Sequence, residues 1–239
     1  RKNYLFFEEE NIREVVAEEG GGYLEVTGIE KTFPNKISVS VKEKYEAYTF
    51  VLNDTYYVVG DDGTVLSVAN DNHNNIAGRN IEVVGIGFNV PKVGEQFTVT
   101  EEYRSAYAAL KTFIAEVNDR DMRGNILRIT YGQDEDYDAS DWLTNAWFIV
   151  ETAEGVQIQI IDPARNASEK AKLALDMYEN PYVMSSGEGG DKIYLGDEGR
   201  MYGYIYVTDV YNISTGKFEL AEPIYNPGTP PDPSQAEKA

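Results

Sequence analysis

The only histidine is the first residue to test for catalytic chemistry. His73 lies in the polar run Asn70–Asn75, and no Gly-x-Ser-x-Gly sequence supplies the nucleophile of a Ser-His-Asp site. A polar run of this kind is typical of a solvent-exposed loop, so we expect no catalytic role for His73. The sequence has no cysteine, which excludes thiol catalysis, disulfide bonds and Cys-ligated zinc.

Three aspartates at alternate positions are candidate calcium ligands. Asp134, Asp136 and Asp138 match the first three ligand positions of a calcium-binding loop. The sixth position is Ala139, where such a loop needs glycine, and the twelfth is Asn145, where it needs a bidentate glutamate. We therefore expect a solvated acidic loop, with an incidental calcium site as the alternative, and we expect no cofactor.

The charge balance restricts the kinds of partner. Asp and Glu number 41 against 21 Lys and Arg, which gives a formal charge of −20. Phosphate backbones and anionic membrane surfaces attract cations, so the charge disfavours nucleic-acid partners and direct membrane contact. Solubility explains such a charge, and an acidic surface that faces a basic partner is the alternative. Many carboxylates always offer pairs for glycoside hydrolysis, but no motif selects one.

Hydrophobic periodicity predicts the elements that would position a site. Apolar residues recurring every three or four positions predict helices at residues 7–19 and 101–118. A third helix is predicted at 166–179, because Asn166 and Ser168 can begin it and Asn180-Pro181 can end it. Between them, alternating or short apolar runs predict a strand-rich order that is α+β and not βαβ. From Pro223 onward the chain carries five of its nine prolines, and this tail is expected to be disordered.

The last two predicted strands are the most suggestive surface. Tyr202, Tyr204 and Tyr206 lie on the strand predicted at 202–210 and Tyr211 directly follows it, and the strand at 217–221 closes the predicted fold. A terminal strand is often an edge strand that can accept a strand from a partner, with tyrosines giving contact area. The alternative, with similar support, is that these tyrosines only cover the sheet.

The segment from Tyr23 to Leu66 carries a family resemblance. Phe33-Pro34-Asn35-Lys36 precedes a strand in which Ile37, Val39 and Val41 share the face expected to be half-buried, and Glu43-Lys44 follows. This order resembles the closing hairpin of the POTRA domain in the FtsQ/DivIB bacterial division proteins. The tyrosine-rich strand and Asp-x-Gly-x-Val-Leu turn of Tyr56–Leu66 are similar to the entry into the family's second domain.

The resemblance continues more weakly along the chain. Phe148–Ile161, followed by Lys170 and Lys172 on a helix, is similar to the family's strand–turn–strand–helix unit, and Gly203–Asp209 resembles its penultimate strand. The implied fold is α+β, with a partial POTRA domain (a helix plus a β-hairpin) followed by a larger mixed-sheet β domain with two helices. The implied domains are 1–50 for the C-terminal part of the POTRA domain, 51–222 for the β domain and 223–239 for the Pro-rich tail.

The resemblance also implies a function and a location. The protein would be a non-enzymatic divisome scaffold in the cell membrane, single-pass, with this portion extracytoplasmic and its anchor upstream of Arg1. It would bind FtsL-like and DivIC/FtsB-like division proteins and help to control septal peptidoglycan synthesis. In the family the last strands bind the partner by strand addition. The resemblance therefore implies that the partner-binding residues of this chain are Tyr204, Tyr206, Tyr211, Lys217, Phe218 and Leu220.

Two other classes of function fit the residues themselves. One is a secreted glycan- or peptidoglycan-acting hydrolase with a carboxylate pair. The other is an exported binding module of another kind, such as a carbohydrate-binding or adhesion domain. A single transmembrane helix after a short basic tail upstream of Arg1 would favour the scaffold, whereas a cleavable signal would favour either alternative.

Overall fold

The fold is α+β, as the sequence predicts, with three helices and a mixed sheet among the described residues. The computed structural model describes residues 8–33, 35–69, 80–138, 145–184, 192–195 and 203–235. Within these ranges, none of the helices combines the length and the apolar character that a bilayer crossing demands.

The helices and strands have the following bounds. The helices are α1 (Glu9–Gly20), α2 (Arg104–Asp119) and α3 (Ala167–Glu179). The strands are β1 (Leu24–Thr32), β2 (Lys36–Glu43), β3 (Glu46–Leu52), β4 (Thr55–Gly60), β5 (Val65–Ala69), β6 (Ile81–Val84), β7 (Phe88–Asn89), β8 (Thr98–Val99), β9 (Ile126–Gln133), β10 (Ala146–Thr152), β11 (Gln157–Ile161), β12 (Tyr182–Met184), β13 (Lys192–Tyr194), β14 (Tyr204–Val207), β15 (Asp209–Asn212), β16 (Lys217–Leu220) and β17 (Ile224–Asn226).

Contacts divide the chain into two compact units. The first contains residues 1–74 and 88–98, and the second contains residues 75–87 and 99–239. The domain boundary predicted at residue 50 falls within β3, which belongs to the first unit.

The first unit begins with the predicted helix and hairpin. β1 and β2 pair antiparallel, with one bulge between Val26 and Gly28, and α1 packs on β1. Val26 is buried, but Val39 and Val41 on β2 keep 39% and 50% of their surface exposed. The alternation on β2 predicts a half-buried face of Ile37, Val39 and Val41, but of these three residues only Ile37 is partly buried. The reason is that α1 packs mainly on the neighbouring strand, β1.

An aromatic cluster forms the core of the rest of this unit. The antiparallel strands β3, β4 and β5 follow one another in space as they do in sequence. The Phe50 ring stacks on Phe97 at 4.2 Å between centroids, and Phe88 lies 4.9 Å from Phe97 and 5.1 Å from Tyr57. Flat rings suit the pleated surface of a sheet, which explains the aromatic-rich sequence of these strands.

The second unit is built on six strands in the order β17-β14-β11-β10-β9-β6. The pairs β11/β14 and β6/β9 are parallel, and the other pairs are antiparallel. α2 and α3 pack on one face of this sheet, where Phe113 of α2 and Ala171 of α3 line a small gap with Phe148 and Ile160. The apolar periodicity of α2 correctly predicts its buried residues, which include Leu110, Phe113 and Val117.

The proline-rich tail is ordered where the sequence predicts disorder, so that prediction is wrong for its described part. Ile224–Asn226 form β17, an edge strand that pairs antiparallel with β14 and buries Tyr225. Further on, the carbonyl of Pro231 accepts a hydrogen bond from Nε2 of the buried Gln159 at 2.7 Å. Prolines are tolerated beside this strand because an edge leaves one side of the backbone without partners.

Attachment of β17 depends on a glycine opposite it. Gly203 has a φ of +112°, and a Cβ at this position would overlap the carbonyl oxygen of Asn226. We predict that Gly203→Ala destabilises the protein by about 1–3 kcal/mol, because the substitution combines a disfavoured backbone angle with a backbone clash. Urea unfolding at equilibrium measures the change.

Gly124→Ala is the matched control for this prediction. A Cβ at Gly124 would meet no heavy atom within 4 Å, so we expect a change within about 0.5 kcal/mol. Equal stability of the two variants would show that β17 does not depend on the close approach at Gly203.

Candidate functional site

The turn of the β15–β16 hairpin, which is part of the predicted binding site, is organised by a single asparagine. Asn212 ends β15, and its Oδ1 accepts hydrogen bonds from the backbone N–H groups of Ser214 and Thr215 at 3.0 and 3.2 Å. Gly216 follows with a φ of +65°, and its N–H donates to the carbonyl of Asn212 at 2.8 Å. Asn and Gly favour such turns because of this side-chain geometry and this backbone freedom.

The register of the hairpin sorts its side chains onto two faces. Tyr211 lies opposite Phe218, and Asp209 lies opposite Leu220, so all four side chains share one face. The rings of Tyr211 and Phe218 are 5.2 Å apart in an edge-to-face arrangement. Lys217 points to the other face of the hairpin.

The hairpin stands apart from the six-stranded sheet. Among the described residues, β15 and β16 pair only with each other. The chain leaves the sheet after Val207, and the N–H of Ala221 donates to the carbonyl of Thr208 at 3.0 Å to close the base of the hairpin. A two-stranded hairpin is marginally stable by itself, so its position depends on contacts with the rest of the unit.

A buried ion pair supplies the main contact. Lys170 of α3 is fully buried, and its Nζ lies 2.5 Å from Oδ2 of Asp209 at the start of β15. The same ammonium donates to the backbone carbonyls of Ile161 and Asp162 at 2.6 and 2.9 Å. The ammonium therefore has two hydrogen-bond acceptors and a counter-ion.

Two further contacts join the hairpin to the segment that precedes α3. Oδ1 of Asp209 accepts a hydrogen bond from Nδ2 of Asn166 at 3.0 Å. The Arg165 guanidinium lies over the Phe218 ring, 3.7 Å from its centroid. Arg165 is itself held by Asp162, whose Oδ2 is 3.2 Å from its Nη1. One face of the hairpin is thus fixed through both of its strands.

Burial and charge act in opposite directions on Lys170. Desolvation is the larger influence and lowers the pKa of Lys170 below its ordinary value, while the hydrogen bond and the charge of Asp209 oppose that shift. An ammonium in this environment is tolerated only while its counter-ion is in place.

A groove of about 750 Å³ lies beside the base of the hairpin. Its wall includes Leu220, Met177 of α3, and the aromatic rings of Tyr182 and Tyr194. Glu222 lies 2.6 Å from Nζ of Lys192 and accepts a hydrogen bond from the Tyr182 hydroxyl at 2.8 Å. This contact with Lys192 holds the pKa of Glu222 below its ordinary value.

The structure separates the six predicted site residues into two groups. Tyr204 and Tyr206 lie on β14, which is flanked by β11 and β17 and is not an edge strand. Tyr211, Lys217, Phe218 and Leu220 lie on the hairpin. The prediction of one continuous strand through residue 210 is wrong, because Asp209 turns inward to meet Lys170. The strand at 217–220 is also not the last, since β17 follows and forms the edge of the sheet.

The remaining candidates from the sequence are the aspartates of the acidic loop and the single histidine. Asp134 makes a turn contact, in which its Oδ2 accepts a hydrogen bond from the N–H of Asn145 at 3.0 Å. The described residues contain no group of three or more potential metal ligands. His73 lies outside the described residues.

Sequence reasoning missed the residues that hold the hairpin. Lys170 and Lys172 read alike as helical lysines, yet Lys172 is exposed and Lys170 is buried. One signal was present, since Lys170 lies three residues after Ala167 and one before Ala171, on the small-residue face of α3. Asn166 gives no such signal, because its left-handed φ of +53° is visible only in the structure.

Loss of the buried cation should destabilise the protein strongly. We predict that Lys170→Met costs about 3–5 kcal/mol, because Asp209 keeps a buried charge without its counter-ion. Lys172 is an exposed lysine on the same helix, so Lys172→Met should change the stability by no more than about 0.5 kcal/mol. Thermal and urea unfolding of the two variants check this, and similar values for both would contradict the buried pair.

Comparison of the chain with models of protein families and with curated proteins finds no match.

Proposed function

We propose that this chain is a non-enzymatic scaffold that binds an extended segment of another protein along the outer edge of β16. The observation that carries the proposal is the hairpin itself, which is ordered but paired with no other described strand. An ordered strand with an open edge offers backbone donors and acceptors to a partner strand.

The alternation of the ladder identifies the groups on that edge. In an antiparallel pair, hydrogen-bonded and non-hydrogen-bonded residue pairs alternate. The bond from Ala221 to Thr208 fixes the phase at the base of the hairpin. Leu220 and Phe218 lie one and three positions before Ala221, so they belong to non-hydrogen-bonded pairs. Their N–H and carbonyl groups therefore point away from β15 and are directed at an incoming strand.

The side chains around this edge suit a protein partner. Phe218 is held between Tyr211 and the Arg165 guanidinium, and aromatic and arginine side chains are enriched where binding energy concentrates. Val210 and Ile213 keep 47% and 88% of their surface exposed on the same hairpin. These residues add exposed apolar area to the hairpin.

The order of elements supports a more specific proposal of the FtsQ/DivIB kind. A helix and hairpin come first, and a mixed sheet with two helices follows. In this proposal the partners are FtsL-like and DivIC/FtsB-like division proteins outside the cytoplasm. The scaffold would be tied to the cell membrane by an anchor outside this chain, and it would help to control septal peptidoglycan synthesis. The proposed site contains Phe218 and Leu220, with Tyr211 and Lys217 beside them.

A pair of substitutions at one position tests strand addition. Phe218→Pro removes an N–H that faces the outer edge and leaves the bonds between β15 and β16, so we expect at least about tenfold weaker binding. Phe218→Ala removes the ring and keeps the N–H, and it is the matched control. Calorimetry with the co-purified extracytoplasmic segments of the FtsL and DivIC proteins measures both affinities.

The difference between the two variants decides the binding mode. We expect Phe218→Ala to retain more affinity than Phe218→Pro, since the backbone donor carries the strand pairing. Equal affinities would rule out strand addition at β16. Absence of binding by the unmodified chain would rule out these partners.

A further inference from the structure

We infer that the Lys170–Asp209 ion pair is a positioning element, which fixes the orientation of the β15–β16 hairpin and hence the direction in which the open edge of β16 faces. The consequence for partner binding rests on the function proposed above. The positioning itself does not rest on it, and it can be measured without a partner.

The placement of the pair is the first ground for this inference. Asp209 is the first residue of β15, and Lys170 lies in the first turns of α3, which packs on the sheet. The pair therefore joins α3, which packs on the sheet, to a hairpin that has no strand partner in the sheet among the described residues. Both side chains are almost completely buried, with 1% and 2% of their surfaces exposed.

The directionality of the contacts is the second ground. The carbonyls of Ile161 and Asp162 accept hydrogen bonds from the Lys170 ammonium and fix its location. Asp209 places one oxygen against this ammonium as an ion pair, and its other oxygen accepts a hydrogen bond from Asn166. Two different contacts on one carboxylate restrict both the location and the rotation of the start of β15.

The energetics of buried ion pairs give the third ground. Desolvation offsets most of the attraction between two buried ions, and a well-packed apolar pair is often as stabilising. Apolar contacts are non-directional, so an apolar pair would hold the hairpin without fixing its rotation. Stability alone does not explain this pair, whereas control of orientation does.

The orientation of β15 at Asp209 determines the direction in which the outer edge of β16 faces, because the two strands are paired. Asp209 lies opposite Leu220, whose backbone faces the outer edge of β16. Phe218 lies two residues further along and contacts Arg165. A rotation about the base of the hairpin would move the outward N–H groups of both residues together.

The double variant Lys170→Met/Asp209→Leu separates positioning from stability. We expect its unfolding midpoint to lie closer to that of the unmodified chain than that of Lys170→Met, because no buried charge is left unpaired. We expect amide exchange to be at least about tenfold faster in residues 209–220, with no change in β9–β11. Affinity for the FtsL and DivIC segments should fall at least about tenfold.

Two control variants, with the unmodified chain as the reference, make each outcome decisive. Lys172→Met should leave exchange and affinity unchanged. Asp209→Asn keeps the shape of the carboxylate. If the double variant does not fold, Asp209→Asn is measured in its place, and its amides are expected to exchange faster in the hairpin than in β9–β11. Hairpin exchange equal to that of the unmodified chain would overturn the inference. If the unmodified chain binds neither segment, the proposed function fails, and the exchange data alone decide on positioning.

Discussion

A buried ammonium group needs hydrogen-bond acceptors and a counter-ion, and this requirement organises the second unit. Lys170 meets it with two backbone carbonyls at the end of β11 and with the Asp209 carboxylate. The carbonyls of Ile161 and Asp162 become available because the chain turns at Asp162, which has a φ of +44°. The carboxylate becomes available because the chain breaks out of the sheet after β14. One cation thus links the turn before α3 to the departure of the hairpin.

The two faces of the six-stranded sheet carry different kinds of side chain. α2 and α3 cover one face with a continuous apolar layer, where Leu110, Phe113 and Leu175 are among the most deeply buried residues. The other face carries polar and aromatic side chains such as Gln159 and Tyr206, which are neighbours across β11 and β14. The tail reaches this face through Pro231. Among the described residues, the hairpin strands pair with no strand of this sheet.

Local sequence predicted the elements whose stability is local. The helix predicted at 101–118 from its periodicity is observed at Arg104–Asp119. The helix predicted at 166–179 from the residues at its two ends is observed at Ala167–Glu179. The break between β14 and β15 could not be predicted, since it depends on a charge partner in another element. Composition predicts disorder after Pro223, because it does not record the pairing of β17 with β14 or the burial of Tyr225.

The same distinction applies to the candidate site. The turn residues and the aromatic residues of the hairpin are visible in the sequence as Tyr211, Gly216 and Phe218. Their arrangement on one face depends on the register. The partners that hold them, Lys170 and Arg165, come from a distant segment and look like ordinary surface residues of an acidic protein. Tertiary desolvation, which no local pattern records, makes them different.

The position of β17 in the chain has a consequence for biosynthesis. It is the edge strand of the six-stranded sheet, yet it is the last strand in the described sequence. Its neighbour β14 pairs in parallel with β11, a connection that spans α3 and closes a long loop. Such pairings form late, because the chain must be closed before they contribute any energy. A ribosome must therefore release residue 226 from its exit tunnel before the sheet of the second unit can be completed, whereas the β3–β5 meander has all of its residues much earlier.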